Sequence, residues 1–478
     1  MGKYRTLALN TVLFGVNAIA TKLITFILLP LYTSYMSSGE YGITDMSLTV
    51  INLVMPLATL SIAEAAVRYI VGDKCHTNEY VAISISITVL SVLIVACLSP
   101  FLDFRAFGGL GDYKWYFLLA YATSAMMNLL GEISRGMGEI KLIPICAGVS
   151  SLTTLVLAVV LISCLHLKLV GYFISVSVGP LFAACIYLAF GGIGAAFIRG
   201  FRNISHDNKA NMKKLMEPML MYSIPLIPNN LFWWLSSGLN RLFITGMIGI
   251  AASGLFAAAS KIPSLLNTVY MVFQQAWQLS AYQESNDDGL SRYFTVVFSC
   301  LQAVLTVSCS ILSLMSPYLA KLLLRGDSFD GWKMISILLI ANLFGVFSTF
   351  YGTIYSTTMH TSYVMFTTLF GAVSCVVFTP LLIPFMGVVG ACFASVLGQF
   401  VVFIMRVRNS KKYITVNVQW RYLVPTLLLL GVQAVVIYFE YPHYMIIASV
   451  CLIIIIVFQI LQLRSFVNIL IDRFKHRN

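Results

Sequence analysis

The chain has 478 residues, of which 59% are hydrophobic and only 10% are charged, and its mean hydropathy is +0.88. This composition excludes a soluble globular protein and is typical of a polytopic helical membrane protein. The net charge of +12 does not indicate nucleic-acid binding, because the basic residues fall mostly in alternate loops between apolar runs, as the positive-inside rule requires.

Apolar runs recur along the chain and predict an all-α fold with about fourteen transmembrane helices. The predicted spans are 8–33, 42–66, 80–102, 115–134, 142–164, 169–190, 219–247, 252–280, 293–316, 333–356, 363–384, 387–405, 422–439 and 443–463. The first run follows Lys3 and Arg5, but it is too long for the apolar core of a signal peptide, so we expect a retained helix.

An even number of spans puts both termini on the same side of the membrane. When that side is taken as inside, 21 of the 30 Lys and Arg residues fall in inside segments and 6 in outside loops. This asymmetry predicts cytoplasmic N- and C-termini. The longest polar break, 199–218, is basic and predicts a cytoplasmic linker that contacts anionic headgroups.

The two halves of the chain carry matching glycines. Gly171 and Gly179 lie in the sixth span, Gly390 and Gly398 in the twelfth, and the two pairs are 219 residues apart. Six spans per half predict a parallel repeat of two pseudo-symmetric six-helix lobes. The expected parts are an N-terminal lobe 1–198, the linker 199–218, a C-terminal lobe 219–406, an accessory helix pair 422–463 and a basic tail 464–478.

Three cations lie inside predicted spans: Lys22 in the first, Arg241 in the seventh and Lys261 in the eighth. A charge at the centre of a bilayer costs about 2.5–3.5 kcal/mol even on the lenient insertion scale. Transporters place their substrate sites at the interface between repeats. We therefore predict that the three cations line a central cavity, with snorkelling to the interface as the alternative, chiefly for Arg241.

Polar residues accompany these cations at helical spacing. Asn230 and Trp234 share a helix face with Arg241, and Gln275 shares one with Lys261. Amides and aromatic rings contact sugars, so Asn230, Trp234 and Gln275 are candidate substrate-binding residues. The alternative for Trp233 and Trp234 is contact with lipid at the membrane interface.

The seventh span carries two prolines close together, Pro225 and Pro228. Each proline removes a helix hydrogen bond, so the pair predicts a break that is either a moving hinge or a static kink.

Two carboxylates near the second span could couple transport to H+ or Na+. Asp45 is the better candidate, because Glu64 stands four residues before Arg68 and is expected to form an ion pair with it on one helix.

Several classes of protein are excluded. The sequence contains no Walker motif and no catalytic set, and its outside loops are too short for an enzymatic domain. The ten cysteines form no CxxC pair and the six histidines show no ligand spacing, so we expect neither a metal site nor a cofactor. We predict a protein that is not an enzyme.

Four segments resemble a known family. They are 39–45 (GEYGITD), 223–229 (SIPLIPN), 239–244 (LNRLFI) and 253–263 (SGLFAAASKIP). On these segments the chain resembles Wzx-type flippases of O-antigen repeat units, in the polysaccharide transporter family of the MOP superfamily. That superfamily also includes lipid II flippases and multidrug MATE exporters. Many relatives have Asp-Arg where this chain has Asn240-Arg241, and the neutral amide removes a partner that Arg241 would otherwise have.

The resemblance implies two lobes that work by alternating access on an undecaprenyl-diphosphate-linked oligosaccharide in the bacterial cytoplasmic (inner) membrane. It also implies a polysaccharide polymerase and a chain-length regulator as partners. Lys22, Arg241 and Lys261 would then offset the charge of the diphosphate. The alternatives are lipid II or a MATE-like drug as cargo or, from another class, a membrane-embedded polysaccharide polymerase or ligase.

Overall fold

The computed structural model describes residues 24–206, 209–283, 290–358 and 362–475. Regular secondary structure in these ranges is helical, which confirms the predicted all-α class. The helices are α1 (described over Ile24–Tyr35), α2 (Ser38–Ala58), α3 (Ile62–Gly72), α4 (Thr77–Leu98), α5 (Lys114–Met137), α6 (Leu142–Ala158), α7 (Lys168–Phe190), α8 (Ile193–His206), α9 (Lys209–Ser223), α10 (Ile227–Met247), α11 (Ile250–Lys261), α12 (Ser264–Gln283), α13 (Leu290–Leu314), α14 (Ser316–Leu323), α15 (Trp332–Thr357), α16 (Ser362–Met386), α17 (Val388–Ser410), α18 (Trp420–Tyr438) and α19 (Tyr444–Lys475).

Ten helical segments in the described ranges are long and apolar enough to cross a membrane, so the chain is a multi-pass membrane protein. They correspond to ten of the fourteen predicted spans. The fourth predicted span is α5, a continuous helix of 24 residues. The first is described only in part, and the seventh and eighth are each divided into two helices, α9–α10 and α11–α12.

The second predicted span is also divided, into α2 and α3. A capping box starts α2: Ser37 Oγ accepts from the backbone N–H of Glu40 at 3.2 Å, and Glu40 Oε2 accepts from the N–H of Ser37 at 2.8 Å. The helix ends at Ala58, and Leu60 and Ser61 adopt positive φ angles of 54° and 50°. Such angles are strained for residues other than glycine and concentrate at functional sites.

The glycine repeat reappears in the helix packing inside each half. A Cβ on Gly179 of α7 would lie 2.6 Å from the carbonyl oxygen of Ser150 in α6, and one on Gly398 of α17 would lie 3.1 Å from that of Gly371 in α16. Glycine thus permits the same close helix crossing in both halves. The chain also enters both crossing helices with a positive φ, at Lys168 (43°) and at Gly387 (58°), again 219 residues apart.

The described chain forms two compact units whose boundary falls within α10. Unit 1 is Met1–Trp234 with Gly249–Gly254, and unit 2 is Leu235–Ile248 with Leu255–Asn478. The terminal pair α18–α19 belongs to unit 2, where buried amides join it to α13. Gln302 Nε2 donates to Gln462 Oε1 at 2.8 Å, and Ser310 Oγ donates to Gln433 Oε1 at 2.9 Å.

The predicted basic linker is helical over most of its length, as parts of α8 and α9. α8 packs closely on α4 within unit 1, since a Cβ on Gly200 would overlap the carbonyl of Asn78. Asn203 Nδ2 also donates to Glu79 Oε1 at 2.7 Å. The polar composition therefore marks an exposed helix surface rather than an extended connection.

Candidate functional site

The two prolines of the seventh span break its helix. α9 ends at Ser223, a 3-10 turn covers Ile224–Leu226, and α10 starts at Ile227. Pro225 lies within this turn and Pro228 in the first turn of α10, where its missing N–H leaves no bond unmade. The predicted break is present in the backbone, and whether it moves stays a prediction.

The first half of α10 is hydrogen-bonded to the divided second span within unit 1. Trp234 is only 7% exposed, and its indole Nε1 donates to the backbone carbonyl of Thr49 in α2 at 2.8 Å. Four residues earlier, Asn230 Nδ2 donates to the Oγ of Ser61 at 3.3 Å. Two predicted sugar-binding residues therefore connect α10 to α2 and to the strained junction after it.

The second half of α10 carries Asn240, which is 7% exposed. Its Nδ2 donates to Ser395 Oγ in α17 at 2.8 Å, and its Oδ1 accepts from Thr379 Oγ1 in α16 at 2.7 Å. An amide serves as donor and acceptor at once, which a carboxylate does not. Asn240, the position at which many relatives have an acid, thus lies at a neutral contact between three helices of unit 2, α10, α16 and α17.

The predicted cations lie in different settings. Arg241, next to Asn240, is half-buried. Lys261 is also half-buried and is the last residue of α11, where the negative end of the helix dipole favours a cation. Pro263 follows two residues later, between α11 and α12. Lys22 lies outside the described residues, as does the side chain of Gln275.

The two candidate coupling acids differ in burial. Asp45 in α2 is only 5% exposed, whereas Glu64 in the first turn of α3 is exposed. The expected ion pair between Glu64 and Arg68 is wrong, since no ion pair joins these two described side chains. Both are exposed, where an i,i+4 pair contributes only about 0.3–0.5 kcal/mol. The acid that does pair nearby is Glu132, with Arg135 at 3.0 Å.

Residues at the start of α11 pack on α2 within unit 1. A Cβ on Gly254 would lie 2.7 Å from the backbone nitrogen of Gly42, and one on Gly42 would lie 3.1 Å from that of Gly254. Each would also overlap a carbonyl oxygen, that of Ser38 or of Ile250. Two sequence segments that carried the family resemblance therefore meet backbone to backbone.

One buried cation was missed from the sequence, where Arg406 counted as part of an inside loop. In the structure α17 continues to Ser410 and Arg406 is only 5% exposed. Its side chain donates to four neutral acceptors: Ser348 O at 2.7 Å, Thr367 Oγ1 and Thr368 Oγ1 at 3.0 Å each, and Val364 O at 3.4 Å. The sequence feature that could have indicated this buried cation is the hydroxyl pair Thr367-Thr368 on the neighbouring helix α16.

The described residues contain no cluster of His, Cys, Asp or Glu that could hold a metal ion. The arrangement instead offers half-buried and buried cations, amides bonded to hydroxyls, and helices interrupted within the membrane. Interrupted helices are where transporters expose backbone groups to polar cargo.

Comparisons with known proteins agree with this picture. A model of the family described as "Polysaccharide biosynthesis protein" matches residues 7–277, more than half of the chain. A comparison with curated protein sequences finds no match.

Three solved structures share the fold. The lipid II flippase MurJ in an inward closed conformation has 14% identity and a TM-score of 0.67, over 96% of this chain and 100% of that one. An inward-facing multidrug resistance MATE family transporter of the MOP superfamily has 13% identity and a TM-score of 0.63, over 84% and 98%. A MATE transporter from Vibrio cholerae has 14% identity and a TM-score of 0.54, over 85% and 97%. The chain therefore belongs to the polysaccharide biosynthesis protein family and has the fold of MOP-superfamily transporters.

Proposed function

We propose that this transporter is a flippase that moves an undecaprenyl-diphosphate-linked oligosaccharide repeat unit of O-antigen, capsule or exopolysaccharide across the bacterial cytoplasmic membrane. One observation carries the proposal: the match to a polysaccharide biosynthesis family lies on a fold shared with a lipid II flippase. The cytoplasmic position of both termini, and a polymerase and a chain-length regulator as partners, belong to the same proposal.

The cations supply the binding chemistry in this proposal. A diphosphate carries concentrated negative charge, and its attraction to Lys22, Arg241 and Lys261 strengthens as water is excluded. Access would alternate between the two sides of the membrane, as in other transporters built from two repeats. Asn230, Trp234 and Gln275 are the proposed sugar contacts. For Trp234 such a contact requires that its bond to Thr49 break during the cycle.

Asp45 is the proposed coupling residue if transport uses H+ or Na+. It is buried in α2, whereas Glu64 is exposed and is the weaker candidate. Burial disfavours an ionised carboxylate unless a proton neutralises it or a cation accompanies it. Transport by the variant Asp45→Asn should lose its dependence on an imposed ion gradient.

The test is transport by the purified chain in liposomes that contain a fluorescent lipid-linked oligosaccharide. Lys22→Ala and Lys261→Ala should each reduce translocation by about tenfold or more, since loss of one desolvated charge contact costs about 1.4 kcal/mol or more. Lys411→Ala is the matched control, because Lys411 is exposed after α17. Full translocation by both cavity variants would contradict the proposed role of the cations.

The same liposomes discriminate the alternatives. Preference for lipid II over the oligosaccharide lipid would identify a lipid II flippase, and export of a cationic dye would identify a MATE-like exporter. Cations in the cavity argue against a cationic cargo by simple repulsion. A polymerase or ligase would lengthen or transfer the sugar chain, which mass analysis of the recovered lipid would detect.

A further inference from the structure

A groove of about 480 Å3 follows one side of α9 into the 3-10 turn at the proline break. Its lining is Lys213, Met216, Glu217, Leu220, Met221, Ile224 and Pro225. These residues recur at helical spacing (i, i+3, i+4, i+7, i+8, i+11, i+12), so they form a continuous stripe about 18 Å long at 1.5 Å per residue.

The opposite side of α9 holds the helix in unit 1. Met219 is fully buried in the core of that unit. Tyr69 of α3 donates its hydroxyl to the carbonyl of Pro218 at 2.9 Å, and its ring meets Tyr222 edge-on with centroids 6.4 Å apart. Two lining residues, Met216 and Leu220, are also half-buried against the core of unit 1, so the groove follows the edge of that packing.

The groove has a charged end and an apolar end. Lys213 and its neighbour Lys214 are exposed at the start of α9, with Glu217 one turn further. Beyond them the lining is apolar, and Met221 is 71% exposed while Ile224 is 47% exposed. Methionine side chains adapt to irregular apolar ligands. The combination suits a ligand with an anionic head and one long apolar chain.

We propose that the groove binds the isoprenoid chain of the lipid-linked substrate, with the phosphate groups at Lys213 and Lys214. This inference rests on the proposed flippase function and adds the place where the lipid part lies. Charge complementarity supports it: the charged end holds two cations and one carboxylate, Glu217, for a net charge of +1, and it precedes the exposed apolar residues along α9 as the diphosphate precedes the isoprenoid chain in the lipid. A phospholipid acyl chain is the competing occupant that the test must separate.

The test is photo-crosslinking in the full-length purified chain, with a benzophenone amino acid at position 221 and fluorescent undecaprenyl phosphate as the probe. Position 182 is the matched control, because Phe182 is an exposed side chain of α7 (55%) in the same unit. Labelling at position 221 should exceed labelling at position 182 and be reduced by unlabelled undecaprenyl phosphate but not by phosphatidylglycerol. Lys213→Glu with Lys214→Glu should lower the apparent affinity about tenfold.

Equal labelling at the two positions, or equal competition by phosphatidylglycerol, would overturn the groove as a site for the isoprenoid chain and leave ordinary lipid contact. The proposed function fails separately. If liposomes translocate the oligosaccharide lipid while labelling is equal, the groove is wrong and the flippase stands. If position 221 is labelled specifically but nothing is translocated, the groove stands as a lipid site and the flippase proposal is wrong.

Discussion

Asn240 donates a hydrogen bond from Nδ2 to Ser395 Oγ at 2.8 Å, across the contact between α10 and α17. The same amide accepts from Thr379 Oγ1 at 2.7 Å. Three helices of unit 2 thus meet at one buried, neutral group. Ser395 Oγ accepts a hydrogen bond here and Thr379 Oγ1 donates one, so the central group must be donor and acceptor at once. Among side chains of this size, an amide satisfies both partners.

We predict that Asn240→Ala lowers the free energy of unfolding by about 1–3 kcal/mol, because the buried hydroxyl of Thr379 loses its acceptor and the half-buried hydroxyl of Ser395 loses a donor. Asn240→Asp should cost more at pH 7.5, since it places a charge among neutral groups. Thermal unfolding of the purified variants in detergent measures both. Asn203→Ala is the control, because its bond to Glu79 is exposed. An unchanged melting temperature for Asn240→Asp would show that the junction accepts a charge, as relatives with an acid there would.

The contact between Gly42 and Gly254 gives a second prediction. A methyl group on either residue would overlap backbone atoms of the facing helix, which cannot move as a side chain would. Gly42→Ala and Gly254→Ala should each cost about 1–3 kcal/mol of stability through overpacking. Gly148→Ala in α6 is the matched control, with open space around its Cβ, and should gain about 0.5–1 kcal/mol from helix propensity. Equal changes in stability for the three variants would mean that the close crossing of α2 and α11 is absent from the protein in detergent.

Hydropathy predicted most helices correctly because a membrane span must be long and apolar whatever it packs against. The glycine repeat was also visible, since close crossings require glycine at fixed positions in both halves. The division between α2 and α3 was not visible. Neither Leu60 nor Ser61 is a residue that prefers positive φ. Local backbone hydrogen bonds, such as that from the N–H of Ser61 to the carbonyl of Pro56 at 3.0 Å, and the tertiary contact of Asn230 with Ser61 stabilise this backbone.

Arg406 is a case in which using cations to mark the ends of membrane spans gives the wrong helix end. A hydropathy span ends at the first cation, so the arginine was assigned to a loop, yet α17 continues for another turn. The helix continues because neighbouring helices supply the acceptors: two threonine hydroxyls and two backbone carbonyls. Such partners are distant in sequence, so the hydropathy of one segment does not reveal them.

The same arginine gives a third prediction. Its acceptors keep partners without it, since Thr367 and Thr368 also donate to the carbonyl of Val364. Taking one ion out of water costs several kcal/mol, which hydrogen bonds to neutral acceptors offset only in part, so an apolar side chain of similar length relieves this cost. We therefore expect Arg406→Met to melt at the same or a higher temperature while its transport falls, because ionisable residues inside membrane segments are retained for function. Arg408→Met, at an exposed position of α17, should change neither quantity. A large loss of stability in Arg406→Met would show instead that Arg406 serves to hold α17 to α15 and α16.

A substitution at Trp234 tests whether its indole N–H stabilises the contact between α10 and α2 or binds the sugar. Trp234→Phe keeps an aromatic ring but removes the donor to Thr49, so we expect a loss of about 1 kcal/mol in stability. Transport in liposomes should persist, because a phenyl ring retains most of the packing. The opposite result, an unchanged melting temperature with abolished transport, would assign the indole N–H to the substrate.

The break at Pro225 gives the last prediction. Pro225→Ala restores an N–H that reaches back to the carbonyl of Met221, so α9 should extend through the 3-10 turn, while Pro228 still leaves a kink. Removing an interior proline stabilises a helix by about 3 kcal/mol. If the break moves during transport, Pro225→Ala should slow translocation without weakening substrate binding, and amide hydrogen exchange across 223–229 should become slower. Pro425→Ala is the matched control, because Pro425 lies inside α18, which continues through it without a 3-10 turn. A Pro225→Ala variant with slower exchange but an unchanged rate of translocation would make the break a static kink that shapes the groove beside it.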